Sequence, residues 1–117
     1  MIEARKRVQG EEHPDTLTSM SNLALTYRDQ GRWKAAESLG VQVMEARKRV
    51  LGEEHPDTLT CMNNLAIIWY DQDRVDESLR LMEQCVQLRE RVLGLDHHDT
   101  ISSSSVLRGW EEASAPI

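Results

Sequence analysis

The stretch GEEHPDTLT at residues 10–18 recurs letter for letter at 52–60, and a worn third copy, GLDHHDTIS, occupies 94–102. From Gly10 to Gly52 to Gly94 the spacing is 42 residues each time. A fixed period in this range marks a chain built of stacked units, each of which buries its apolar face only against its neighbours. Working outward, residues 3–26 and 45–68 align without a gap. They differ only at Gln9/Leu51, Ser19/Cys61, Ser21/Asn63, Leu25/Ile67 and Thr26/Ile68.

Each copy of the stretch joins two helical patterns. Pro14 suits a first helical position, where its missing N–H costs nothing, and Asp15 lies at the positive end of the helix dipole. Leu17, Met20, Leu23, Ala24 and Tyr27 then recur at helical spacing, which predicts a helix over 14–30 ended by Gly31. A second helix over 32–51 carries Trp33, Ala36, Leu39, Val43, Met44, Ala46 and Val50 on one stripe. Gly40 inside it costs about 1 kcal/mol relative to Ala, which points to a close helix–helix approach. The basic run Arg47-Lys48-Arg49 complements the negative end, and Gly52 closes the helix.

Helices over 56–72 and 74–93 repeat the pair, with Asp73 in place of Gly31, Trp69 in place of Tyr27 and Met82 in place of Gly40. A final helix over 98–113 is degenerate. His98 replaces the proline and Ser102–Ser105 reads as a solvated face, but Val106, Leu107 and Trp110 still share one side that covers the previous pair. Residues 1–9 read as the end of a truncated second-type helix, and 114–117 as a tail. The expected architecture is one all-α domain, a solenoid of antiparallel helix pairs with repeats at 14–51 and 56–93 and partial units at both ends.

Composition narrows the function. The chain has 117 residues, 39% hydrophobic and 29% charged, with net charge −6 and pI about 5.2. An acidic surface opposes nucleic acid. No apolar run reaches the roughly 20 residues that span a bilayer, and no signal-peptide pattern opens the chain. Cys61 and Cys85 lack metal-type spacing and read as reduced thiols of a cytoplasmic protein, although spacing alone leaves their pairing open. His13, His55 and His97 each stand beside their own Asp, which reads as a turn-and-cap role and not as a metal or catalytic cluster. No phosphate loop, nucleophile elbow, CxxC or HExxH occurs. The reading is a non-enzyme without cofactor or metal.

The pattern Leu23-Ala24-x2-Tyr27-x3-Gly31-x-Trp33-x2-Ala36 resembles the tetratricopeptide repeat. Leu65-Ala66-x2-Trp69 matches again, while Asp73, Val75 and Ser78 depart from it. The 42-residue period, the LGEEHPDT linker and Asn63-Asn64-Leu65-Ala66 resemble the longer repeat of kinesin light chains, and most of all the repeat arrays of fungal NOD-like receptor proteins. The resemblance implies a right-handed superhelix whose first helices line a concave groove for a peptide or protein. The groove positions would be Thr18, Ser21, Leu25, Arg28 and Asp29 in the first unit. In the second they would be Thr60, Asn63, Ile67, Tyr70 and Asp71. The asparagine that grips a C-terminal carboxylate in some relatives is replaced by Leu25 and Ile67, which argues against that ligand. Three roles follow as expectations: a ligand-sensing region of a NOD-like receptor, a kinesin light chain-like cargo adaptor opposed by Asp29 and Asp71 if its ligand is acidic, and a scaffold that self-associates through its terminal helices.

Overall fold

The computed structural model describes residues 13–114, which form five helices. These are α1 (Pro14–Asp29), α2 (Trp33–Leu51), α3 (Pro56–Asp71), α4 (Val75–Leu93) and α5 (His98–Ser114). The truncated helix expected at 1–9 lies outside the described residues, as does the tail beyond Ser114. The helix ends fall within one residue of the sequence expectation at most boundaries. Gln30 and Gln72 act as C-caps, and Arg32 and Arg74 as N-caps, so they flank the helices instead of belonging to them.

The repeated stretch is a joint that ends one helix and starts the next. Gly52 adopts φ +97 and Gly94 φ +95, a region that admits glycine without strain. Nδ1 of His13, His55 and His97 accepts the backbone N–H of Asp15, Asp57 and Asp99 at 3.1, 3.0 and 3.0 Å. Each imidazole thus serves as an N-cap, satisfying one of the orphan donors of the helix it precedes. Behind His55, the hydroxyl of Thr58 donates to the carbonyl of Gly52 at 2.9 Å and ties the joint shut. Thr58 is buried for this reason although it is polar.

The turn inside each pair is solved twice with different residues. Gly31 has φ +77, and a Cβ there would lie 2.6 Å from the Trp33 ring. Its counterpart Asp73 takes φ +69 with a side chain, and Val75 stands where the large indole does in the first unit. The indole is then free to donate from Nε1 to the Asp71 carbonyl at 2.6 Å, which pins the first pair to the end of α3.

Consecutive helices pack side by side, and α1 also touches α3 directly, so α1, α3 and α5 form one row and α2 and α4 the other. The body is elongated, 52 × 31 × 19 Å, and its thin dimension is about two helix diameters. One apolar cluster joins Leu17, Met20, Val43, Ala46 and Cys61. A second joins Leu59, Met62, Ala66, Met82, Cys85 and Val86, and Val106, Leu107 and Trp110 of α5 pack against it. Gly40 allows the approach expected of it, since a Cβ would sit 3.3 Å from Leu65 Cδ1. Two expectations are corrected. Val50, placed on the apolar stripe, is 48% exposed at the end of α2. Ser103, placed on a solvated face, is fully buried because Arg89 donates to it.

Candidate functional site

The row α1–α3–α5 carries the ten residues assigned to the groove, and the structure distributes them between solvent and the seams that join the helices. Thr18, Asp29, Thr60 and Asp71 are exposed, while Ser21, Leu25, Arg28, Asn63, Ile67 and Tyr70 are half-buried. Arg28 of α1 donates from Nε to the Asp71 carboxylate of α3 at 2.7 Å, so two of the assigned residues neutralise each other across the seam. Tyr70 stacks on Trp110 of α5 with ring centroids 4.3 Å apart and planes 4° from parallel. Ile67 packs against the second apolar cluster. Ser21 and Leu25 border a void between α1, α2 and α3 together with Ala24, Gly40, Val43, Cys61, Asn64, Leu65 and Ile68. The space it offers is about 10 Å³, which is about one water's worth.

The polar members are tied down from behind by helices that the groove assignment leaves out. Arg47 of α2 donates to Thr18 Oγ1 at 3.3 Å and to Cys61 Sγ at 3.2 Å. Arg89 of α4 donates to Thr60 Oγ1 at 3.4 Å, to Ser103 Oγ at 2.5 Å and to the Asp99 carbonyl at 3.1 Å. Ser103 in turn donates to Asn63 Oδ1 at 2.8 Å. Sequence reading missed the seam roles of Arg47, Arg89 and Ser103, and gave Trp110 only the covering role that it does fill. A signal existed for the first two, because they stand 42 residues apart in the repeat.

On the outer side, Glu37 of α2 gathers three donors from the next unit. The Trp69 indole donates at 2.9 Å, Gln72 at 3.3 Å, and Arg74 through Nη1. Partial burial pushes the Glu37 carboxyl up, but the hydrogen bonds from Trp69, Arg74 and Gln72 and the Arg74 charge outweigh it and hold the group below the usual carboxylate range. Arg74 also grips Glu77 through both ends of its fork at 2.8 Å, which lowers that carboxyl as well. The guanidinium of Arg74 lies over the Trp69 ring, as that of Arg32 lies over Tyr27.

Cys61 and Cys85 are free buried thiols, and burial pushes both up, so neither is poised as a thiolate nucleophile. Among the described residues, His97, His98 and Asp99 alone bring three metal-type ligands together, within 4.8 Å of one another. They sit at the start of α5, where the helix dipole opposes a cation and His97 Nδ1 is already spent on the Asp99 N–H. Among the described residues no helix is long and apolar enough to cross a membrane. The arrangement suits binding along an extended strip, with polar groups held in fixed directions and aromatic and aliphatic surface beside them.

Comparisons with known proteins agree with the helix-pair architecture. The family model described as tetratricopeptide repeat matches residues 16–57 and 58–99. No curated protein matches the chain in sequence. Among solved structures, the nearly identical TPR-like repeats of a kinesin light chain candidate from Podosopora anserina superpose with TM-score 0.80 at 28% identity, covering 96% of this chain and 53% of that one. A single-residue variant of the same repeats gives 0.82 with the same identity and coverage. BtubC (BKLC) from P. vanneervenii gives 0.89 at 21% identity over 97% of this chain and 45% of its own, a likeness of fold. The chain thus spans about half the length of these structures.

Proposed function

This chain belongs to the tetratricopeptide repeat family, with repeats of the kinesin light chain type, and from that premise we propose that it docks a peptide or protein along the row α1–α3–α5. Repeats of this family serve in general as scaffolds for protein–protein interaction and not as enzymes. The observation that carries the reading is the strip itself. Exposed Thr18, Asp29 and Thr60 alternate with half-exposed Ser21, Leu25, Asn63, Ile67 and Tyr70. The hydroxyls and carboxamide can pair with a peptide backbone, and the apolar members can cover its side chains.

The partner reading we favour is the ligand-sensing region of a cytoplasmic receptor of the fungal NOD-like kind. The near-identity of residues 3–26 and 45–68 supports it, because units this alike can be gained or lost while the groove is retuned. A cargo adaptor of the kinesin light chain kind is the second reading. One observation favours it: Asp71 already has its charge met by Arg28, so its opposition to an acidic ligand is weakened and rests chiefly on Asp29. Self-association through the ends is the weakest. Leu95 and Ile101 are exposed at the α5 end, 69% and 51%. Yet Ser104 and Arg108 stand there where the interior helix has Met62 and Ala66, which suits water better than a helix partner.

Peptides selected by display on the intact chain test the proposal. Thr18→Arg, Asp29→Lys and Asn63→Arg are expected to abolish their binding, while Gln42→Arg and Gln87→Arg on the outer helices leave it unchanged. The opposite pattern refutes a concave site.

A further inference from the structure

We infer that Arg47 and Arg89 are register clasps: each guanidinium, reaching from an outer helix, locks two successive inner helices together and fixes the directions of the groove's polar groups. The second part rests on the groove reading above, while the first stands on geometry alone.

The two arginines occupy the same place in the 42-residue unit and make the same connection. Arg47 of α2 bridges Thr18 of α1 and Cys61 of α3. Arg89 of α4 bridges Thr60 of α3 and Ser103 of α5. Thr18 corresponds to Thr60 and Cys61 to Ser103 by the repeat. Each clasp therefore spans three helices, from one repeat across the seam into the next.

The two differ in strength for a chemical reason. In the first, the acceptor across the seam is a thiol, a weak one, and Arg47 is only half-buried. In the second, a hydroxyl and the Asp99 carbonyl accept, Ser103 passes the chain on to Asn63, and Arg89 is only 5% exposed. No carboxylate pairs with Arg89 among the described residues, and its Nε finds no acceptor. Removing Arg89 strands the Ser103 hydroxyl and the Asp99 carbonyl that it serves. Yet a buried cation held by neutral dipoles adds little net stability of its own, because its desolvation cost is high. Such groups are best attested as devices that fix register.

Register needs fixing in this chain. The stripes Leu23-Ala24 and Leu65-Ala66 are the same, so these apolar pairs carry little that tells one unit's seam from the other's, whereas Cys61 and Ser103 differ. A guanidinium with a rigid fork reaches acceptors on two helices at once in one arrangement only. The groove gains from this directly. Thr60 is held between its own bond to the Pro56 carbonyl at 3.1 Å and Arg89, so its hydroxyl points one way. Asn63 accepts from Ser103 through Oδ1, which leaves its NH2 to donate elsewhere.

Native-state hydrogen exchange on Arg89→Met, Arg89→Lys and Ser103→Ala tests the clasp. Arg89→Met is expected to leave far-UV helicity unchanged while amides of α5 exchange about tenfold faster relative to those of α1. Arg89→Lys falls with Met, since one ammonium cannot reach the same acceptors, and Ser103→Ala gives a smaller change in the same direction. The Asn63 side-chain NH2 resonances move in all three. Unchanged α5 exchange, or equal acceleration in every helix, overturns the inference. If Arg89→Met does not fold, Arg89→Lys and Ser103→Ala decide on the same criterion. Should α5 loosen as expected while the concave-face variants leave peptide binding intact, the clasp stands and the groove reading falls.

Discussion

Gly31→Ala is the sharpest test of how the two units solve the same turn. The substitution meets two obstacles. The backbone there has φ +77, and the new Cβ would lie 2.6 Å from the Trp33 ring. Left-handed backbone costs a non-glycine residue about 1–2 kcal/mol, of which about 0.5–1 is returned by the stiffer unfolded chain. The ring contact adds an overpacking cost of about 1–3 kcal/mol, because an aromatic side chain fixed by its own bond to Asp71 cannot swing aside freely. The expected loss is about 2–4 kcal/mol, or roughly 10–20 °C in melting temperature for a domain of this size. In a Trp33→Val background, which copies the Val75 of the second unit, the ring term vanishes and Gly31→Ala should cost about 1 kcal/mol. Urea unfolding followed at 222 nm on the four members of this cycle measures the coupling. If Gly31→Ala costs the same beside tryptophan as beside valine, the ring contact does not explain the glycine.

Two further outcomes follow from the joint and the outer network. His55→Ala removes the N-cap of α3 and is expected to cost about 1 kcal/mol in urea unfolding, whereas His55→Asn retains an acceptor and should recover most of it; equal losses would exclude the cap as the cause. Glu37→Gln should cost about 1 kcal/mol at neutral pH, since the side chain is 24% exposed and its charge gathers three donors. The folded carboxyl sits below its ordinary value, so its stabilisation is full above the glutamate range and is lost as pH falls through the folded value. The wild-type advantage over Glu37→Gln in melting temperature should therefore shrink below about pH 4, and a constant difference down to pH 2 would refute the linkage.

The sequence by itself determined the helix pairs, their period and their joints. Gly52, Pro56 and Asp57 act through local geometry and the helix end, so their roles hold in any copy of the stretch, and the cap role of His55 was legible for the same reason. The apolar stripe of Leu17, Met20 and Ala24 was equally legible, because a period of 3.6 records which face is buried. What only the tertiary structure decided is where polar residues meet across seams. Arg28 and Asp71 lie 43 positions apart, as do no two residues that a helical period could link. Ser103 reads as one of four solvated serines, but Arg89, on a different helix, donates to it. Tyr70 reads as a ligand-facing ring, but Trp110, forty positions on, stacks against it. Backbone caps and apolar faces are set by near neighbours in the chain. The partners of long polar side chains are set by how one repeat is rotated onto the next, and that rotation is a property of the packed helices.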